Sequence, residues 1–382
     1  SAGVLSLRSA NPTDELEYGF KTSYEGQEEG TTFGGFVSGP ISDTLGYRVA
    51  AEIQDINKFV EIAPGNPTAQ PERGLENLIT RVTFQWEPVD NFDANLKINY
   101  NRQRSDSLNS NLDIFCGGDG RPDPSVILGG ALGGVPGFDL FEPTHDCNLT
   151  DGKFVGPDGH PLLTSVPTGS PGEGRDIRLA YNETDTFFTR LEMNYALNDS
   201  LNITALVGYV DLDNEYNDTF NSTGQLPDGS AAGLPAPFLN TLQQTTFELR
   251  LASNNDGAFN YQVGAFWEDR DIGHKTSQNA FNPSLLGAIG FGPDPATGFT
   301  FDWLANRPIQ AEAVSVFASA EYQFSESLLL SGGLRWTDEE KTTSVGFPFI
   351  HSGVAALGLT AIASGFQSGD VEFQDDNISP EL

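Results

Sequence analysis

Phe92-Asp93-Ala94-Asn95-Leu96-Lys97-Ile98-Asn99-Tyr100-Asn101 is the stretch from which the fold is read. Successive side chains of an extended strand point to opposite faces. Phe92, Ala94, Leu96, Ile98 and Tyr100 therefore share one face, and Asp93, Asn95, Lys97, Asn99 and Asn101 the other. A helix would scatter both sets around its axis. The pattern repeats on both sides of this stretch. Leu78, Thr80, Val82, Phe84 and Trp86 oppose Arg81, Thr83 and Gln85. Phe187, Leu191, Met193 and Tyr195 oppose Arg190 and Glu192, and Ile203, Val207 and Tyr209 lie across from Asn202 and Thr204. Further on, Phe247, Leu249 and Leu251 oppose Glu248 and Arg250; Val263, Ala265 and Trp267 oppose Gln262 and Glu268. Val316 and Tyr322 oppose Ser315 and Glu321, and Leu334 and Trp336 oppose Arg335.

A soluble sandwich also alternates, but three features favour a membrane barrel. The alternating segments run for about 9–11 residues, the length a tilted strand needs to cross a bilayer. Their apolar faces end in amphipathic rings (Trp86, Tyr100, Tyr195, Tyr209, Trp267, Tyr322 and Trp336), as an aromatic girdle at the membrane boundary requires. Connections alternate between short and long. Short ones, at residues 42–44, 89–91, 198–200, 254–257 and 325–327, hold the Asn, Asp, Gly and Ser that tight turns favour. Long ones are expected at residues 57–77, 104–184, 212–243, 269–310 and 338–370. The fold class expected is all-β: an antiparallel transmembrane β-barrel with about 12 strands, short periplasmic turns and long extracellular loops. Its lumen face would carry Arg81, Gln85, Lys97, Asn99, Arg190, Glu192, Glu248, Arg250, Glu321 and Arg335.

The bulk numbers agree. No stretch is apolar enough for a spanning helix. Asp and Glu number 53 against 20 Lys and Arg, for a net charge of −33, which repels phosphate backbones and excludes nucleic acid as a partner. Disorder, the other reading of high charge, conflicts with 27 Phe, 10 Tyr and 4 Trp. Charged and turn residues come early, with no apolar leader. Ser1–Leu7 reads as a strand, so the chain is expected to begin inside a larger protein.

Sites of covalent chemistry are not visible. His145 lies near Cys147, but the spacing fits no zinc pattern, and the four His read as loop residues. Gly129–Gly134 lacks the Lys-Ser/Thr of a phosphate loop. Acidic loop segments near Asp119, Asp151 and Asp158 offer oxygen ligands to Ca²⁺ but miss the EF-hand spacing. No cofactor and no enzyme activity are expected. Cys116 and Cys147 flank a polar loop and are disulfide candidates for an oxidising compartment. In the long segment 104–184, Phe115, Phe138, Phe141 and Phe154 are candidate ligand contacts, with burial against neighbouring loops as the competing role.

Several segments resemble the TonB-dependent outer-membrane receptors. Val37–Ala51, reading VSGPISDTLGYRVAA, is similar to the hairpin of their second and third barrel strands. Thr246–Ser253 with Tyr261–Trp267 is similar to a mid-barrel hairpin, Ser331–Lys341 to a later strand, and Asn377–Leu382 to the start of the next. Ser1–Glu15 resembles the end of the N-terminal plug. The resemblance implies two parts: residues 1–15 as the end of the plug and its link, and 16–382 as part of a barrel of about 22 strands. It implies lipid and lipopolysaccharide of the Gram-negative outer membrane as surroundings, and TonB–ExbB–ExbD as partners through a plug this chain lacks. A ferric siderophore, cobalamin or a glycan would be the cargo. A passive porin and a secreted β-sheet adhesin are the alternatives.

Overall fold

A computed structural model describes residues 8–62, 73–105, 153–154, 166, 168–175, 177, 181–218, 236–278, 294–295, 303–356 and 362–381. Twelve strands pair with their neighbours in chain order in one antiparallel sheet. They are β1 (Glu17–Glu25), β2 (Gly30–Ser42), β3 (Leu45–Ile62), β4 (Arg73–Val89), β5 (Phe92–Ser105), β7 (Tyr181–Asn198), β8 (Leu201–Asp218), β9 (Ala236–Ser253), β10 (Phe259–Gln278), β11 (Trp303–Ser325), β12 (Leu328–Thr343) and β15 (Val371–Glu381). Three short strands lie off this path. Two-residue β6 (Lys153–Phe154) pairs with the far end of β3, β13 (Gly346–Ile350) with β11, and β14 (Phe366–Gln367) with β13. One short helix, α1 (Ser352–Ala356), follows β13.

The five short connections fall at one end of the sheet, here the turn end. Their side chains close the turns locally: Ser200 N donates to Asn198 Oδ1 at 2.9 Å and Thr44 N to Ser42 Oγ at 3.3 Å. At four of them the register slips by a bulge next to the turn. The opposite, loop end carries the long connections.

The strands are longer than the alternating apolar stretches suggested. β8 runs for 18 residues, β10 for 20 and β11 for 23. Much of residues 57–77, 212–243, 269–310 and 338–370, expected as loop, is strand. The hydrogen-bond ladder needs only backbone groups, so it continues where the apolar side chains stop. The last strand, of which Asn377–Leu382 was read as the start, begins earlier, at Val371, and is an 11-residue partner of β12.

Burial is inverted relative to a soluble sheet protein. The apolar face is the exposed one: Phe20 is 79% exposed, Leu334 59% and Leu249 44%. Polar-face residues Ser38, Thr83 and Ser315 are fully buried among their neighbours. The buried apolar cluster of the described residues is small, Ile177, Leu304 and Phe349 with Val166 packed against it, and it sits at the loop end.

Candidate functional site

The polar face is where the described residues concentrate interacting side chains. Register fixes which residues share it. Arg81 lies opposite Asn99, Gln85 opposite Asn95, Lys97 opposite Arg190, and Asn95 opposite Glu192. Continuing across β9 to β12, Glu248 faces Phe266, Arg250 faces Gly264, Phe317 faces Arg335, and Ser331 faces Glu321. The register carries this one face from Arg81 on β4 through to Arg335 on β12.

Three tiers follow from the turn end to the loop end. In the lowest, residues 8–16 run across the polar face instead of joining the sheet. Lys97 Nζ donates to Ser9 Oγ at 3.0 Å and to its carbonyl at 3.2 Å. Thr13 N donates to Ser38 Oγ at 3.0 Å. Glycine makes room: a Cβ at Gly46 would stand 2.9 Å from the Pro12 ring. In the middle tier, charges pair along the strand between residues i and i+2, which share a face. Arg190 binds Glu192, Arg250 Nε lies 3.0 Å from Glu248, and Arg270 Nε lies 3.4 Å from Glu268. Half-exposed pairs of this kind contribute about 0–1 kcal/mol each, so they orient side chains more than they hold the sheet.

The third tier was read as loop in the sequence. Asn214 on β8 donates to Asn182 Oδ1 at 2.7 Å and to Thr184 Oγ1 at 2.8 Å, both on β7. Asn240 on β9 donates to Asn214 Oδ1 at 3.3 Å, and Asn240 Oδ1 meets His274 Nδ1 on β10 at 2.6 Å. A carboxamide has both donor and acceptor, so each Asn passes the chain of bonds to the next strand. Tyr216 and Phe238 stack beside this line with centroids 4.8 Å apart, and Phe238 lies 5.8 Å from the His274 ring. Arg307 on β11 stands opposite His274. Burial, then the neighbouring Arg307 charge, lowers the His274 pKa. His274, expected as an exposed loop residue, is half-buried on a strand.

On the apolar face, four of the seven ring residues expected in the girdle lie toward the loop end, and each donates to a carboxylate. Tyr100 Oη binds Asp185 at 2.6 Å and Tyr209 Oη binds Asp211 at 3.0 Å. Trp267 Nε1 binds Glu312 at 2.9 Å and Trp336 Nε1 binds Asp376 at 3.3 Å. Trp86, Tyr195 and Tyr322 lie toward the turn end, where Trp86 meets Phe92 edge-on at 5.7 Å and Tyr322 meets Phe324 at 4.6 Å.

Beyond the upper rings a clamp fastens residues 168–175. Arg175 binds both oxygens of Glu183, at 3.0 and 2.7 Å, and Arg104 binds the same carboxylate. Tyr181 Oη at 3.0 Å and Gly172 N at 2.8 Å both donate to Glu215. Arg175, then burial opposed by Arg104, leaves the Glu183 pKa below the usual carboxylate range; burial and Glu215 raise that of Tyr181. Gly172 has φ of 82°, and a Cβ there would stand 2.8 Å from Ile177, so this turn requires glycine.

Cys116, Cys147, Phe115, Phe138 and Phe141 lie outside the described residues, as do the acidic segments near Asp119, Asp151 and Asp158. Phe154 is in β6, whose backbone pairs in parallel with Ile62 of β3. No cluster of three or more His, Cys, Asp or Glu able to hold a metal occurs among the described residues.

The family described as TonB dependent receptor-like, beta-barrel matches residues 137–357, more than half of the chain. The chain belongs to this family. TonB-dependent receptors are proteins of the Gram-negative outer membrane. Solved receptors share the fold at low identity. The ferric-catecholate import receptor Fiu from E. coli K12 is 14% identical with a TM-score of 0.64, covering 97% of this chain and 52% of its own. The ferric yersiniabactin uptake receptor FyuA from Yersinia pestis is 13% identical with a TM-score of 0.60, covering 98% and 44%. The ferripyoverdine receptor of Pseudomonas aeruginosa is 12% identical with a TM-score of 0.55, covering 88% and 41%. The chain thus spans about half the length of these receptors. No curated protein matches it in sequence.

Proposed function

We propose that this chain forms part of the wall of a closed, membrane-spanning barrel that imports a scarce, bulky nutrient such as a ferric siderophore, cobalamin or a glycan, and catalyses no reaction. The observation that carries this reading is the exposed apolar face of a twelve-strand sheet, with its charged groups gathered on the other face and at the loop end. Lipid is the medium that such a face requires, and closure leaves no lipid-exposed strand edge. From Phe92 to Tyr100 a strand extends about 27 Å at roughly 3.4 Å per residue. Tilted by about 40° as barrel strands are, it rises about 21 Å along the membrane normal and so covers most of an apolar band about 25 Å tall. The ten charged and amide residues from Arg81 to Arg335 then line the lumen, and the seven rings from Trp86 to Trp336 form the girdles.

Residues 1–15 serve as the link from a plug, which fits the passage of residues 8–16 across the polar face. TonB–ExbB–ExbD act through that plug. Lipopolysaccharide surrounds the upper band. Phe154, anchored beside β3, contributes to the ligand-facing loops together with Phe115, Phe138 and Phe141. The test is made in cells carrying the intact gene. Uptake that depends on it and ceases when tonB is deleted supports the reading. Uptake unaffected by tonB deletion favours a passive porin, and recovery of the protein without detergent favours a soluble adhesin.

A further inference from the structure

Residues 8–16 reach β1 by crossing the polar face near the turn end, and they are bonded to the wall along the way. Lys97 on β5 holds Ser9 twice, at Oγ and at the carbonyl. Asn95, two residues back on β5 and buried, donates to Asn11 Oδ1 at 3.4 Å. Pro12 lies over β3 where Gly46 has no side chain to obstruct it. Thr13 N donates to Ser38 Oγ on β2, the two hydroxyls are also 3.0 Å apart, and Ser38 is fully buried. Every second residue, Ser9, Asn11 and Thr13, is thus tied to the wall. The ties end where the next element opens: Ser38 also stands opposite Glu17, the first residue of β1. With nine residues, β1 is the shortest of the twelve consecutive strands. Strand ends open most readily, so tension arriving along the link would load the β1–β2 ladder at its weakest point.

We propose that Ser9, Asn11 and Thr13 form a clasp on the wall of β2, β3 and β5 that stays closed while the receptor works, so that tension on a plug ends at Ser9 and does not reach β1. The proposal rests on the receptor reading, which puts a plug ahead of this link. Contacts on three wall residues, Lys97, Asn95 and Ser38, share the load. The ladder at Glu17, loaded from its end, would give way one residue pair at a time. The strongest ties are the two hydrogen bonds from Lys97, because a charged donor strengthens them. The Lys97 ammonium forms no ion pair among the described residues, so it is given over to the link. The groove for Pro12 exists because position 46 is glycine: a Cβ there would press on the proline ring.

The test uses the intact protein, with Cys116 and Cys147 replaced by serine, in cells whose uptake has been found to depend on tonB. Thr13→Cys is the reporter. Position 13 is half-buried against Ser38 and keeps its N–H bond, so a biotin maleimide reaches the thiol when the link leaves the wall. Labelling is expected to be slow, and equal with tonB present or deleted. Lys97→Met should make it at least threefold faster in cells with TonB. Gly46→Val, which sets a side chain against Pro12, should do the same. In purified protein with Thr13 restored, Ser38→Ala should speed hydrogen exchange of the Thr13 amide at least tenfold and leave the amides from Phe20 to Ser23 unchanged. Labelling accelerated by TonB in the chain with its clasp intact would overturn the proposal. So would labelling indifferent to both Lys97→Met and Gly46→Val, or unchanged exchange at Thr13 in Ser38→Ala. None of these results alters the tonB dependence of uptake, established beforehand in the same cells, so failure of the clasp is separable from failure of the receptor reading.

Discussion

The same strands carry two chemistries on one face. On β8, Ile203, Ala205, Val207 and Tyr209 share the exposed face with Asp211, Asp213 and Glu215, which follow them toward the loop end. On β10, Val263, Ala265 and Trp267 are followed by Asp269 and Asp271. The backbone ladder crosses the change without a break. Above the change, like charges stand directly opposite: Asp185 with Asp213, Asp269 with Glu312, Glu312 with Glu340, and Asp338 with Asp376. Such pairs weaken a sheet. The change in chemistry thus reports a change of medium along a continuous strand, and it falls at the rings whose polar atoms reach the first carboxylates.

The largest expected effect breaks this contrast directly. Leu249→Arg places a charge in the apolar band and should cost about 2–4 kcal/mol in lipid. Thr241→Arg, on the same face of the same strand but above the change, should cost little. Urea unfolding in vesicles measures both, and equal costs would remove the distinction between the two regions. Next in size is Asn214→Leu, which strands the carboxamides of Asn182 and Asn240; a loss of about 1–3 kcal/mol is expected. Hydrogen exchange should rise at the loop ends of β8 and β9 and stay unchanged at their turn ends.

Arg175→Met should free residues 168–175, seen as faster proteolysis there with the sheet intact. Acid should do the same. The Glu183 pKa is depressed in the folded chain, so its contribution is full above the ordinary glutamate value and is lost as pH falls through the folded one. Proteolysis of this segment should therefore accelerate below about pH 4, and Glu183→Gln should abolish that dependence. The smallest effect is Asp213→Asn. Burial, then Asp211 and Asp185, raises the Asp213 pKa, so its charge opposes folding once it is ionised. The substitution should stabilise by about 0.2–1 kcal/mol at neutral pH, and the gain should vanish in acid, where Asp213 is protonated. A gain independent of pH would contradict the repulsion.

The apolar band was legible because period two is a local property: Phe92 to Tyr100 declares its face without reference to any partner. The short turns were legible for the same reason, through Asn198, Asp199 and Ser200. The loop-end tier was not. Asn214, Tyr216, Phe238, Asn240, His274 and Arg307 sit where both faces of the strand are polar, so no alternation marks it. One local signal was present: Tyr216 and Asn214 keep the two-residue spacing on β8, as do Phe238 and Asn240 on β9. The clamp of Arg175 on Glu183 joins a loop to a strand eight residues later, and nothing in composition distinguishes that pair from other surface charges.

The central claim is that one face of this sheet meets lipid hydrocarbon. The most direct measurement places a fluorescent cysteine label at each of residues 314–317 of β11, in protein with Cys116 and Cys147 replaced by serine, and adds quenchers carried on lipid acyl chains. Strong quenching at Val314 and Val316 with weak quenching at Ser315 and Phe317 is the expected result. Uniform quenching, or none at Val314 and Val316, would contradict it.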